Sequence, residues 1–157
     1  RSTLVLGRAI SSTVRSLFQM VFVYVLSYIL HVKLRLGFFA LAGVVLAVTL
    51  GSAIFSTFSL IVACLVKSRE RFMGIGQVLT MPLFFASNAI YPLSLMPSWL
   101  RVVSRANPLS YQVDALRALM IVDAGSSFGL RVDFFVLFVA FTIMVATATW
   151  LYPSIVT

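Results

Sequence analysis

The chain has 157 residues, of which 61% are hydrophobic and only 10% are charged. Because so little polar surface cannot cover a water-soluble globule of this length, the composition places the chain in a lipid bilayer. Its formal net charge of +8 comes from basic residues in short groups between apolar runs, a layout that argues against nucleic-acid binding. A single cysteine, Cys64, excludes an intrachain disulfide and a cysteine-cluster metal site.

The start of the chain carries a basic stripe. Arg1, Arg8 and Arg15 are spaced by seven residues, so on a helix they lie close to one face. Two interpretations remain open. The segment is either an amphipathic helix that lies among lipid headgroups and bends into the first span, or a positively charged flank that orients the chain.

Four apolar runs predict an all-α fold, a polytopic transmembrane helix bundle within a single domain covering 1–157. The predicted spans are 16–31, 37–66, 72–91 and 132–152. Three of them are near the length of about 20 residues that crosses a bilayer. The second is longer and must tilt, kink near Gly51 and Ser52, or project into water.

The second span carries a ridge of small residues. Gly43, Ala47 and Gly51 recur every four residues and therefore share one helical face. Such a face lets another helix approach closely. The alternative is that small residues are simply frequent in membrane helices.

A compact charged cluster separates the second and third spans. It consists of Lys67, Arg69, Glu70 and Arg71. One interpretation is orientation and lipid contact, and the other is a docking surface for a cytoplasmic partner. The 12 basic residues divide equally between the two sides of a four-span chain, but the compactness of this cluster favours a cytoplasmic location for it and for both chain ends.

Prolines interrupt the apolar sequence after the third span begins, at Pro82, Pro92, Pro97 and Pro108. Proline removes a backbone donor and bends a helix, so the freed carbonyls need protein or water as partners. This pattern predicts a re-entrant or interfacial helical hairpin over 92–122, ahead of the last span.

Polar residues in this region predict local structure. Ser87 and Asn88 lie in an apolar run and should face protein or a water-accessible path. Ser98 is expected to cap a short interfacial helix that bears Trp99 as a belt residue.

A second helix of the hairpin should follow directly. Asn107 is expected to cap it, with Pro108 at its first position. Asp114 and Arg117, three residues apart on this helix, can pair, either as a structural brace or as a substrate contact.

This region resembles a known family. The residues that carry the resemblance are Pro82-Leu-Phe-Phe-Ala-Ser87-Asn88, Tyr91-Pro92, Met96-Pro97-Ser-Trp99-Leu100, Asn107-Pro108-Leu-Ser-Tyr111, Asp114 and Arg117. In order and spacing they resemble the late segment of ABC-2 type exporter permeases, including those of the daunorubicin-resistance and nodulation-factor exporter kind. The chain departs from many members of that family at Asn88, where they have glycine.

The resemblance implies that the chain holds the last four of six membrane helices, with two helices and a cytoplasmic coupling helix preceding it. It also implies a multi-pass protein of the cell membrane in which 92–131 lies outside and 67–71 is cytoplasmic. The expected partners are ATP-binding cassette subunits, a second permease copy or homologue, and membrane lipids. The gate candidates are Pro82, Ser87, Asn88, Pro92, Pro97, Trp99, Asn107, Pro108, Asp114 and Arg117.

An enzyme is not expected. The only Lys-Ser pair, Lys67-Ser68, follows Val66 and no phosphate-binding glycine motif is present, so ATP hydrolysis is expected on a separate subunit. No catalytic, metal or cofactor residues are predicted. The alternative function is a non-transporting four-helix membrane scaffold or assembly protein, and a passive channel is less favoured because no filter signature occurs. The sequence does not identify a transported substrate.

Overall fold

The computed structural model describes residues 2–66, 69–87, 89–90 and 95–151. Within these ranges the structure describes the backbone, but not the side chains, of residues 2–6, 8, 9, 69, 70 and 72. Of the predicted site residues, Lys67, Asn88 and Pro92 lie outside the described residues, as do the side chains of Arg69 and Glu70.

The described residues form an all-α structure, which confirms the predicted class. In chain order the helices are α1 (Ser2–Ile29), α2 (Phe38–Leu65), α3 (Arg69–Phe85), α4 (Ser98–Ala106), α5 (Pro108–Met120) and α6 (Leu130–Leu151). Three of them are long and apolar enough to cross a membrane: Ile10–Ile29 within α1, all of α2, and all of α6. The apolar part of α3, Met73–Phe85, is shorter.

The first helix differs from its prediction. It begins at Ser2 instead of near residue 16, and the basic segment continues into the apolar segment as one helix. No proline interrupts this stretch, and the isolated Gly7 is tolerated inside a helix. The expected bend between a surface segment and the first span is therefore wrong for the described backbone.

The third helix ends at Phe85, earlier than the predicted span end at residue 91. Ser87 explains the early end. Its hydroxyl donates to the Phe84 carbonyl (2.6 Å) and accepts from the Ala89 amide (3.3 Å), so a side chain occupies groups that a longer helix would pair internally.

The second helix is central to the fold. It packs against α1, α5 and α6, and it is continuous across Gly51 and Ser52, where a kink had been one prediction. Ile54 of α2, Tyr111 of α5 and Leu137 of α6 form the main core cluster, against which Phe128 packs. A smaller cluster joins Ile61 to Ala148 further along α2 and α6.

A short backbone pairing ties the end of α5 to the connection between α1 and α2. The Arg35 amide donates to the Met120 carbonyl (2.8 Å), and the Val122 amide donates to the Lys33 carbonyl (3.2 Å). This pairing places the last residue of α5 next to the first residues of α2. Since Tyr111, near the start of α5, packs on Ile54, the two helices run antiparallel.

Candidate gate region around the hairpin of α4 and α5

The hairpin, defined as α4, Asn107 and α5, has a short amphipathic first arm. Trp99 and Val102 of α4 are each 68% exposed, whereas Ser104 on the opposite face is fully buried. The helix begins at Ser98 and is preceded by Pro97, and no side-chain cap bond occurs there. The predicted capping role of Ser98 is therefore wrong, because Pro97 holds an extended backbone that starts the helix one residue earlier (φ −55°, ψ 152°).

Asn107 joins the hairpin to α3. Its Oδ1 accepts from the Leu109 amide (3.0 Å), which confirms the predicted cap, and Pro108 occupies the first position of α5. Its Nδ2 donates to the Leu83 carbonyl of α3 (2.7 Å). The side chain is 3% exposed, so a single buried amide pairs with one end of each of two helices.

Further polar contacts close the turn between the arms. The hydroxyls of Ser104 and Ser110, both fully buried, lie 3.0 Å apart, and the Tyr111 hydroxyl donates to the Arg105 carbonyl (2.8 Å). Sequence reasoning did not single out Ser104 or Ser110. The available signal was their position three residues before and three residues after Asn107, which a tight turn brings together.

The ridge on α2 faces the second arm. A Cβ placed on Gly43 would lie 2.9 Å from Leu119 Cδ1, and one placed on Gly51 would collide with the Gln112 side chain. Ala47 between them is fully buried. In the described chain α5 therefore lies against this face of α2, and the side-chain ends of Leu119 and Gln112 occupy the space beside the two glycines.

Asp114 anchors α5 to the loop ahead of α6. Its Oδ2 accepts from the Ser126 hydroxyl (2.8 Å) and from the amides of Ser127 (2.7 Å) and Phe128 (3.1 Å), and the residue is fully buried. The predicted pairing of Asp114 with Arg117 stays a prediction. These contacts attach the hairpin to the start of α6 as well as to α2 and α3.

The same loop brings in a second buried carboxyl group. The Ser126 hydroxyl lies 3.0 Å from Asp133 Oδ2 and accepts from the Gly129 amide (2.6 Å). Asp133 Oδ1 is buried and has no hydrogen-bond partner among the described residues. Sequence reasoning missed Ser126 and Asp133, because the irregular loop between α5 and α6 has no periodicity that would place them next to Asp114.

The other predicted residues have separate positions. Pro82 lies inside α3 and is exposed, Ser87 is fully buried at the end of α3, and Pro97 and Trp99 are exposed at the start of α4. Arg71 is exposed on the first turns of α3. The described residues contain no group of three or more His, Cys, Asp or Glu that could hold a metal ion.

With this geometry established, comparison with known proteins identifies the family. A family model described as ABC-2 type transporter matches residues 1–121, more than half of the chain. The chain belongs to this family. The resemblance seen in the sequence is thereby confirmed, and ABC-2 membrane subunits carry no ATPase domain themselves, in agreement with the prediction of a non-enzymatic chain.

Individual relatives of this ABC-2 chain are similar over part of their length. "Putative transport permease ycf38" of Cyanophora paradoxa is 30% identical over 125 residues, which cover 76% of this chain and 41% of that protein. The daunorubicin resistance ABC transporter permease protein DrrB1 of Streptomyces coeruleorubidus is 38% identical over 56 residues, 36% of this chain and 20% of that protein.

Nodulation protein J of Rhizobium meliloti is 30% identical over 67 residues, 43% of this chain and 26% of that protein. The chain thus spans about two fifths of the length of the first relatives it matches. It covers 41% of the Cyanophora paradoxa protein and 40% of "Putative transport permease ycf38" of Porphyra purpurea. No solved structure matches the chain.

Proposed function

We propose that this chain is the C-terminal part of a permease subunit in an ATP-driven exporter. It forms a translocation path with a second permease and is coupled to separate ATP-binding subunits. The observation that carries the proposal is the ABC-2 family match over residues 1–121. The hairpin is the element that closes the outer end of the path, and α3 is also a membrane span, which gives this chain four spans with α3 as the third in chain order.

The position of the hairpin supports a re-entrant segment. Tyr111 packs on Ile54, which lies about 24 Å along α2 from Phe38 at a helical rise of about 1.5 Å per residue. The turn at Asn107 is therefore beside the second half of a helix long enough to cross the membrane. At this turn the Ser104 and Ser110 hydroxyls pair with each other, and the Asn107 side chain donates to the backbone carbonyl of Leu83. These polar groups therefore have the protein partners that lipid could not supply.

The composition and exposure of α3 support a fourth span. Its 17 residues extend about 25 Å, slightly less than the hydrocarbon thickness of about 30 Å. Val78 is 70% exposed and Met73 61%, as suits a helix covered by lipid or by further protein. A short span is compatible with crossing where the chain continues into a protein-covered hairpin.

The orientation is tested with single cysteines in a Cys64→Ala background. Ser98→Cys and Asp123→Cys, at exposed positions on the hairpin side, should react with an impermeant thiol reagent added to intact cells. Arg71→Cys, also exposed, should react only after the membrane is opened. Labelling of position 71 in intact cells would reverse the orientation and remove the cluster at 67–71 from the cytoplasmic side.

Coupling to the ATP-binding subunits is tested by charge reversal in the full-length permease. Arg69→Glu combined with Arg71→Glu should reduce co-purification of the ATP-binding subunits and the ATP hydrolysis rate of the assembled complex. Arg131→Glu, an exposed arginine at the start of α6, is the matched control and should change neither. If no ATP-binding subunit associates with the unmodified permease, the non-transporting scaffold is the correct function.

A further inference from the structure

A groove runs between α1 and α2 and changes character along its length. It consists of two adjoining cavities of about 390 and about 370 Å³, both within the size range of small-molecule sites. Ser16, Ser52 and Phe55 line both cavities, so the two are continuous. We call them the polar end and the apolar end of the groove.

The polar end contains one cation among hydroxyl groups. Its other lining residues are Ser11, Ser12, Arg15 and Ser56. Among the described residues, neither the Arg15 guanidinium nor the hydroxyls of Ser11 and Ser56 have a hydrogen-bond or ion-pair partner. The hydroxyls of Ser16 and Ser52 donate to the backbone carbonyls of Ser12 and Thr49. A guanidinium flanked by hydroxyl donors is a chemistry suited to binding phosphate or carboxylate oxygens.

The depth of Arg15 makes this arrangement unusual. The Thr13 hydroxyl lies 3.2 Å from the Ser52 hydroxyl, which places this part of α1 beside the middle of the 28-residue helix α2. At a rise of about 1.5 Å per residue, Ser52 is about 20 Å from either end of α2. Arg15 lies within the candidate membrane span Ile10–Ile29, about 8 Å from its first residue, and an arginine inside a membrane helix faces protein or a water-filled path and marks a functional site by default.

The apolar end continues from the polar end towards the start of α2. Here α5 also lines the groove, and most of the lining is apolar: Met20, Val23, Val44, Val48, Phe55, Leu109, Leu116 and Met120. The side-chain amides of Gln19 and Gln112 are polar groups in the same lining. From Ser56 to Val44 the groove follows α2 for about 18 Å at a rise of about 1.5 Å per residue. A hydrocarbon chain would bury its surface against these side chains while its head group remained at Arg15.

We propose that this groove binds an anionic amphiphile, and that this is the chemical class of the transported molecule. The phosphate or carboxylate group lies at Arg15 and the neighbouring serines, and the hydrocarbon part lies along the apolar end. The identity of the ligand as a transported molecule rests on the proposed function, whereas binding of the anionic amphiphile does not.

Charge complementarity selects an anion over a cation. Among described side chains, the acidic residues are Asp114, Asp123 and Asp133, and none of them lines the groove. Among the side chains that the structure describes, Arg15 is the single charged one in the lining of either cavity. A cationic amphiphile would therefore meet repulsion at the polar end with no compensating carboxylate.

The binding test uses the full-length permease in phosphatidylcholine nanodiscs with three probes that share one hydrocarbon chain: dodecyl phosphate, dodecanol and dodecyltrimethylammonium. We expect dodecyl phosphate to bind at least about tenfold more tightly than the other two, since one charge-assisted hydrogen bond alone accounts for that ratio. Equal affinity for dodecyl phosphate and dodecyltrimethylammonium would overturn the proposal.

Variants locate the probe in the groove. Arg15→Gln should weaken dodecyl phosphate binding about tenfold and leave dodecanol unchanged, whereas Arg131→Gln, which removes the same charge outside the groove, should have no effect. Val48→Phe, which narrows the apolar end, should weaken both dodecyl phosphate and dodecanol with Arg15 intact. If Arg15→Gln binds dodecyl phosphate as tightly as the unmodified chain does, the assignment of the phosphate site to Arg15 is wrong. This outcome does not depend on whether Val48→Phe folds.

Two further measurements distinguish the source of the ligand. Dodecyl phosphate should stimulate ATP hydrolysis by the assembled complex, and Arg15→Gln should abolish this stimulation. If phosphatidylglycerol in the nanodisc displaces the probe while ATP hydrolysis is unaffected, the groove holds a resident lipid and the transported-molecule assignment is wrong.

Two other outcomes separate the parts of the proposal. Displacement of the probe by inorganic phosphate at the same concentration would show that the site does not require a hydrocarbon chain. Failure of ATP-binding subunits to assemble would refute the proposed function and leave the binding of the anionic amphiphile untouched.

Discussion

Two of the shorter helices, α3 and α5, are placed by different means. Six of the 13 residues of α5 are buried, and both of its ends are bonded to other parts of the chain. The described side chains of α3 are almost all exposed, although this helix is longer and has no charged residue after Arg71, whereas α5 carries Asp114 and Arg117. Contacts within the chain therefore position α5, whereas the exposed side chains of α3 depend on lipid or on further protein to cover them.

The largest expected effect tests the anchoring of α5 through Asp114. Asp114→Ala leaves the Ser127 and Phe128 amides without their acceptor, while the Ser126 hydroxyl keeps Asp133 Oδ2 as its acceptor, and each buried unpaired group costs about 1–3 kcal/mol. We expect the free energy of unfolding in detergent to fall by about 3 kcal/mol or more. Asp123→Ala, an exposed aspartate in the same connection, should change it by less than about 0.5 kcal/mol. Equal effects would show that the loop is not held by Asp114.

The next effect tests the close approach of α5 to α2. Ala47→Leu adds bulk to a fully buried position between Gly43 and Gly51 and should cost about 1–3 kcal/mol of unfolding free energy, because the backbones must separate. Leu46→Ala, at a neighbouring position that is 50% exposed, is the control and should be nearly neutral in thermal unfolding. If Ala47→Leu leaves the free energy of unfolding unchanged, α5 does not lie in close contact with this face of α2.

A smaller effect separates the two bonds of Asn107. Asn107→Asp keeps an acceptor for the Leu109 amide but loses the donor to the Leu83 carbonyl, and should cost about 1 kcal/mol. Asn107→Ala loses both and should cost about 2 kcal/mol. Hydrogen exchange should rise at the end of α3 in both variants and at the start of α5 in Asn107→Ala alone. Unchanged exchange at α3 in Asn107→Asp would remove the link between the helices.

The smallest effect tests the exposure of α3. Val78→Ala, at a side chain that is 70% exposed, should change the unfolding free energy of this chain by less than about 0.5 kcal/mol. In the full-length permease assembled with its partners, the same variant should cost more if protein covers α3, because a buried methyl group is then lost. Equal, small effects in both preparations would indicate that lipid alone covers this helix.

Helix ends and caps that depend on adjacent residues could be predicted from the sequence. Contacts between residues that an irregular loop brings together could not. The ends of α2 and α6 lie within two residues of their predicted positions, because the apolar runs stop there at glycine, at charged residues or, after α6, at Pro153. Asn107-Pro108 carries its own capping chemistry in adjacent residues. The contacts of Asp114 with the 126–129 loop depend on how a connection without periodicity folds back. The continuation of α1 through its basic segment was missed because charge suggested a surface helix.

The amide of Asn107 also limits which substitutions this position can accept. Its oxygen serves α5 and its nitrogen serves α3, so the residue must present an acceptor and a donor at the same short reach. Aspartate and serine can replace the acceptor but not the donor as it is placed here, and glutamine is longer by one methylene. A change at position 107 therefore requires a second change elsewhere that supplies a new partner for the Leu83 carbonyl. Substitutions at this position of the hairpin and at the end of α3 are thus expected to occur together.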